Sequence, residues 1–218
     1  LAAFVSPAVE TRPAARRDAP ALFFGLHRSR GRVLKLSALY GLDAFAGGFV
    51  LQSLLVNWFH VRFGADTGLL GSVFFVANLL AAASAVLAHR IAARVGLVNT
   101  MVFTHLPSNV LLILVPLMPS LPLAVGVLLL RFTISQMDVP TRQSYTMAVV
   151  SPDERAAASG VTTIVRSLGA ALAPVAGSAF LLGGGGAVFF WAGGLKIAYD
   201  LILYRSFRRL RPAEEESA

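Results

Sequence analysis

The 218 residues contain no cysteine and little charge of either sign. Without a thiol there is no disulfide, no thiolate metal site and no cysteine nucleophile. Charged residues make up 14% of the chain, where a soluble domain carries about 25%. Hydrophobic residues make up 56%, and a chain of this size cannot fold that much apolar side chain away from water. Neither a His-Glu-x-x-His zinc signature nor a Gly-x-Ser-x-Gly nucleophile turn occurs, so an enzyme is not expected. The glycine run at 183–186 is followed by no Lys-Ser/Thr pair. It reads as a turn, and neither a metal nor a cofactor is expected. The formal charge of +8 would suggest nucleic acid on a soluble protein. Here the positive residues have a topological explanation, and nucleic acid is not an expected partner.

Long apolar stretches with short connectors are what the chain does have. A hydrocarbon core of about 30 Å takes about 20 apolar residues in a helix. Residues 68–88 form one such stretch without a single charge. The pattern predicts an all-α integral membrane protein with six transmembrane helices, at 34–59, 67–88, 98–118, 122–148, 156–182 and 187–204. Residues 1–33 read as a basic cytoplasmic linker, with the stub of a preceding helix at 1–5 and a surface helix at 21–27 that lays Phe23 and Phe24 on lipid. Residues 34–204 form the transmembrane domain, and 205–218 a cytoplasmic tail. The chain opens on Leu1 with no basic-apolar-small leader, which predicts a fragment of a longer protein.

The basic residues set an orientation. The leading segment carries seven, from Arg12 to Lys35. Arg90 and Arg94, then Arg142 and Arg155, then Arg205, Arg208, Arg209 and Arg211 fall in alternate connectors, against Arg62 alone on the other side. Positive residues stay inside, so both termini are expected in the cytoplasm of a cell (plasma or inner) membrane. Trp58 and His60 fit an outer interfacial belt.

Charges at the wrong depth mark the candidate site. Asp43, Arg131, Arg166 and Lys196 each fall nine or ten residues into their stretch, about 13 Å deep at the helical rise. Such groups cost at least ~2.5–3.5 kcal/mol each and persist where they face a cavity or a partner. In the fourth stretch Arg131, Ser135, Asp138, Arg142 and Tyr145 follow steps that place them on one helical face. That face reads as the wall of a water-filled route or as a seam of hydrogen bonds. Asp43 shares a face with Asn57 and is expected to pair with Arg131 or Arg166, or to carry a proton. Thr104, His105, Ser108 and Asn109 cluster around Pro107. Lys196 and Asp200 are four apart and expected to neutralise each other. Pro174, among Gly169 and Gly177, predicts a bendable packing surface. Arg131, Arg166 and Lys196 balance Asp43, Asp138 and Asp200, which sets no sign for a solute.

These residues resemble the major facilitator superfamily, in particular its C-terminal six-helix half. Arg131 is similar to the arginine of the family's fourth- and tenth-helix motif. Met137-Asp138-Val139-Pro140-Thr141-Arg142-Gln143 with Ser151-Pro152-Asp153-Glu154-Arg155-Ala156 is similar to the cytoplasmic end and loop of bacterial members. Gly169 to Gly177 resembles the Gly-Pro motif of the fifth and eleventh helices. The family's Gly-x-x-x-Asp-Arg-x-Gly-Arg loop survives only as the remnant ending His89-Arg90. The resemblance implies half of a twelve-helix secondary transporter, working by alternating access on a small-molecule substrate. The other partners are the bilayer and a missing N-terminal half, or a second copy of this chain. Asp43, Arg131 and Arg166 are then the midplane substrate or coupling residues. Asp138, Arg142 and Tyr145 form a cytoplasmic gate, and Asn57, His105, Asn109 and Ser135 line the cavity. Proton-coupled efflux follows if Asp43, Asp138 and His105 titrate. The alternative is a membrane sensor or interaction protein that uses the same scaffold without moving solute.

Overall fold

The computed structural model describes residues 25–181 and 186–208. The expected stub at 1–5, most of the surface helix at 21–27, most of the glycine turn and most of the tail lie outside them. Gly25 to His27, the described end of that surface helix, is not helical, and Leu26 is buried in the core.

Among the described residues there are eight α-helices and no strand. They are α1 (Arg30–Gly48), α2 (Gln52–Phe63), α3 (Thr67–Val95), α4 (Leu97–Leu114), α5 (Leu121–Phe132), α6 (Asp138–Ala148), α7 (Arg155–Leu181) and α8 (Ala187–Phe207). Five segments are long and apolar enough to cross a membrane: Arg30–Phe63, Thr67–Val95, Leu97–Leu117, Pro152–Gly177 and Ala187–Phe207. The expected sixth, at 122–148, is two shorter helices instead.

Both departures from continuous helices have local causes. The first stretch breaks at Phe49, Val50 and Leu51, directly after Gly47-Gly48. Paired glycines hold a helix weakly and are a common kink site. The fourth breaks between Phe132 and Asp138, where the Thr133 hydroxyl bonds back to the Leu130 carbonyl at 2.7 Å. Hydroxyl back-bonding of this kind bends helices. The freed Gln136 N–H donates to Ser84 Oγ on α3 at 3.3 Å, so the break does not leave that donor bare in an apolar medium. The interruption also moves Pro140 into the first turn of α6, where its missing N–H costs nothing.

The other helix ends follow their sequence. Gly64, at φ 64°, closes α2 in the left-handed region. The Asp66 carboxylate accepts from Gly68 N at 2.7 Å and Leu69 N at 3.3 Å, which starts α3. Gly96, at φ 86°, alone separates α3 from α4. Phe75, Leu79 and Val86 stand exposed along one face of α3, a surface suited to acyl chains rather than water.

Helix α7 packs along α1 through small residues. A Cβ on Gly41 would lie 2.8 Å from Val165 Cγ1, and one on Gly169 would run into the Gly41 carbonyl oxygen. Close backbone approach substitutes for the hydrophobic drive that lipid cannot provide between helices.

Glu154 reaches across the fold. Its buried carboxylate accepts from the backbone N–H groups of His27, of Arg28 at 2.7 Å and of Ser29 at 2.8 Å, ahead of α1. The Ser151 side chain makes no cap hydrogen bond; its N–H donates to Ser29 Oγ at 3.2 Å. This clasp ties the entry to α1 to the α6–α7 connection. Glu154→Ala strips those donors of their acceptor and is expected to lower stability by roughly 1–3 kcal/mol, read as an earlier unfolding midpoint in detergent. An unchanged midpoint would remove the clasp from the account.

Candidate functional site: a buried ionic layer beside a basic cavity

Two apolar clusters fill the ends of the bundle. α1 gives Val33, Leu36 and Tyr40 to the first, and Phe45 packs on the second. α4 gives Val98, Met101 and Val102 to the first and Leu112 to the second. α8 runs the other way, with Val188, Phe189 and Ala192 in the second and Tyr199, Leu203 and Phe207 in the first. The stretch of each helix between its two contributions carries polar residues: Asp43, then His105, Ser108 and Asn109, then Lys196, with Asp200 directly after Tyr199. All six are buried. The buried charge therefore forms a layer between two apolar blocks.

Asp43 is the hub of that layer. Its Oδ1 lies 2.5 Å from Lys196 Nζ and 3.7 Å from His105 Nε2, and its Oδ2 lies 2.9 Å from Arg142 Nη1. Arg142 also holds Asp138 through Nη2 at 2.9 Å, one turn back on α6. Its guanidinium sits 5.2 Å from the centre of the Tyr40 ring. Tyr40 Oη meets Thr146 Oγ1 at 3.2 Å. On the other flank His105 Nδ1 lies 2.8 Å from Asp200 Oδ1, and Asn109 Nδ2 donates to Asp200 Oδ2 at 3.0 Å. Four helices thus meet through one connected set of charged side chains.

Three carboxylates, Asp43, Asp138 and Asp200, face two permanent cations in this set, Arg142 and Lys196. Both nitrogens of the His105 ring look at carboxylate oxygens. Neutral imidazole can donate from only one of them.

A cavity of about 630 Å³ opens beside the layer, between α6 and α7. Arg142, Arg155 and Arg166 line it together with Ser159, Thr163 and Gln143. On α7, residues 155, 159, 163 and 166 fall on one face by their spacing, while the exposed Ile164, Leu168 and Val175 lie on the opposite one.

The structure gathers some of the expected residues and separates others. Asp43, Asp138, Arg142, His105 and Asn109 come together. Arg166 joins Arg142 at the cavity wall. Arg131 does not reach Asp43: the interruption after α5 turns its half-buried guanidinium over the Phe132 ring, 5.3 Å from the centre. Neither Arg131 nor Arg166 has a carboxylate within ion-pair distance among the described residues, so the expected pairing of Asp43 with either is replaced by Lys196 and Arg142. Lys196 and Asp200 do not neutralise each other, because each finds a better-placed partner on another helix. Ser135 is buried in the break, and Tyr145 is buried edge-on against Phe207 at 5.9 Å. Asn57 stands exposed on α2, since the break at Phe49–Leu51 removes the continuous face it was to share with Asp43. Trp58 is buried among Phe59, Phe63 and Phe189 rather than standing in a belt. Arg142 belongs to the buried layer and not to a connector.

Two features escaped the sequence reading: the polar face of α7, hidden in an alanine-rich stretch, and the Tyr40–Thr146 contact. The spacing of Arg155, Ser159, Thr163 and Arg166 was the available signal for the first.

The sequence profile of the Major Facilitator Superfamily matches residues 1–174. An uncharacterized membrane protein of Saccharomyces cerevisiae is 27% identical over 144 residues, which is 66% of this chain and 32% of the relative. The chain spans about a third of that protein's length. No solved structure matches.

Proposed function

Because the chain belongs to the major facilitator superfamily, a family of membrane transporters, we propose that it moves a small solute across a cell membrane by alternating access. The chain acts as the C-terminal six-helix part of a larger carrier, with α5 and α6 together as its fourth crossing and both ends in the cytoplasm. The observation that carries this reading is the buried ionic layer set against a polar cavity of about 630 Å³. Charges are expensive in a bilayer, and a layer built only to hold helices together has no use for an open basic wall beside it. Asp138 and Arg142 close the cytoplasmic side of the layer by their ion pair, and Asp43 couples that pair to α8 through Lys196.

The test is accessibility. This chain has no cysteine, so Thr163→Cys introduces one reporter on the cavity wall. In membrane vesicles of known orientation, an impermeant maleimide is expected to label it from both sides, at different rates. Labelling from one side alone under every condition would favour the sensor reading, in which the network stays shut.

Proton coupling is assigned to His105. Asp200 and Tyr199 face it from α8, Asp43 from α1, and Asn109 from its own helix; Lys196 and Arg142 stand behind Asp43. His105→Gln keeps a hydrogen bond to Asp200 but holds no extra proton. The ratio of the two labelling rates is expected to change when the proton gradient is collapsed in the parent and to stay constant in the variant. Equal responses in parent and variant would dispose of the assignment.

A further inference from the structure

We propose that the cavity between α6 and α7 is an anion site, taking a small solute through a carboxylate, sulfate or phosphate group; this rests on the transport reading only for the claim that the solute is carried. Three guanidinium groups line the cavity, and no Asp or Glu does. The wall is therefore positive at Arg155 and Arg166, while Arg142 is paired from behind by Asp43 and Asp138. Arg155 and Arg166 lie eleven residues apart on α7, about 16 Å at the helical rise, so the positive wall runs from the connection end inward to the ionic layer.

The lining arginines differ in how far their hydrogen-bonding capacity is spent. Arg142 spends Nη1 on Asp43 and Nη2 on Asp138, yet its buried Nε has no acceptor. Arg166 has no carboxylate partner among the described residues, and its Nε too is buried without an acceptor. Arg155 uses Nε on the Met147 carbonyl at 3.0 Å. Buried donors without acceptors are uncommon and costly. The charges of Arg155 and Arg166, without a carboxylate partner among the described residues, suit a ligand rich in acceptor oxygens. Planar guanidinium forks match carboxylate and phosphate oxygens in pairs. Ser159, Thr163 and Gln143 add neutral donors on the same wall. A cationic solute meets Arg155 and Arg166 there, neither with a carboxylate within ion-pair distance among the described residues, while Arg142 is already held by Asp43 and Asp138.

Anionic headgroups of lipid carry the same chemistry as free anions, and the experiment separates the two sources. Full-length protein in neutral detergent is equilibrated with radiolabelled sulfate, phosphate or succinate at constant ionic strength. A parallel arm adds phosphatidylglycerol, and another adds tetraethylammonium as competitor. At least one soluble anion is expected to bind, without competition from the cation. Arg166→Gln and Arg155→Gln are each expected to weaken binding by about 10- to 100-fold, the worth of one charged hydrogen bond. Arg166→Lys is expected to recover part of it by keeping the charge, which also guards against a folding defect in the glutamine variant. Arginine-dependent binding of phosphatidylglycerol alone would assign the site to a headgroup. Binding of none of these, or binding equal in parent and Arg166→Gln, overturns the proposal. Two-sided labelling of Thr163→Cys without anion binding would leave the transport reading standing and remove only this one. Arginine-dependent binding with one-sided labelling would do the reverse.

Discussion

Asp43→Ala is expected to cost about 3–5 kcal/mol of stability, the penalty for stripping buried ions of their partner. Lys196 Nζ at 2.5 Å and Arg142 Nη1 at 2.9 Å both lose their shared acceptor. His105 loses one of the two carboxylates its ring faces. The remaining set then holds two permanent cations against Asp138 and Asp200 with no common hub, so α1 is no longer tied to α6 and α8 through charge. The measurement is unfolding of the full-length protein in mild detergent, followed by the midpoint and by the fraction retained after heating. A paired change tests the cause. Asp43→Leu with Lys196→Met removes both ions and is expected to recover part of the loss, because an apolar pair avoids the desolvation that the lone charge suffers. A single Asp43→Ala variant as stable as the parent would mean that the layer does not hold the helices.

Gly169→Leu is expected to separate α1 from α7, at a cost of about 3 kcal/mol, the upper end for overpacking. Even a Cβ at this position meets the Gly41 carbonyl oxygen, with Phe45 N at 3.3 Å behind it. Backbone cannot rotate aside as a side-chain tip can, so the two helices must move apart. That movement unseats Asp43, which sits on α1 next to the contact. Loss of stability is therefore expected together with loss of Thr163→Cys labelling asymmetry. Gly126→Ala is the control: nothing lies within 4 Å of its Cβ position, and the change is expected to stay within about 0.5 kcal/mol of the parent. Equal behaviour of the two variants would contradict close packing at Gly169.

Five of the spans were legible because lipid demands long apolar runs. The breaks were not. Gly47 and Gly48 lie inside an apolar run long enough for one helix, and the steps from Arg131 to Tyr145 fit one helix so well that Thr133 and Pro140 do not stand out. Spacing along a helix says which residues share a face, but not which helix faces them. Lys196 and Asp200 show the difference: four apart in sequence, they were matched to each other, yet Asp43 and His105 on neighbouring helices take them. The same limit hid the partner of Glu154, which lies more than a hundred residues away at the entry to α1. The polar wall of α7 was available in the spacing 155, 159, 163, 166, but short hydroxyl side chains among alanines read as packing residues.

Helix α7 offers the most direct measurement of the central claim, that a membrane-crossing helix turns one face to a wet basic cavity. Nitroxide labels placed singly from 155 to 175 in the full-length protein, reconstituted in bilayers, report collision with oxygen and with a water-soluble nickel complex. The account predicts a period of about 3.6 residues, with nickel access greatest at 159, 163 and 166 and oxygen access greatest at 164, 168 and 175, opposite in phase. Oxygen access dominating around the whole helix, or nickel access absent at 163 and 166, would contradict it.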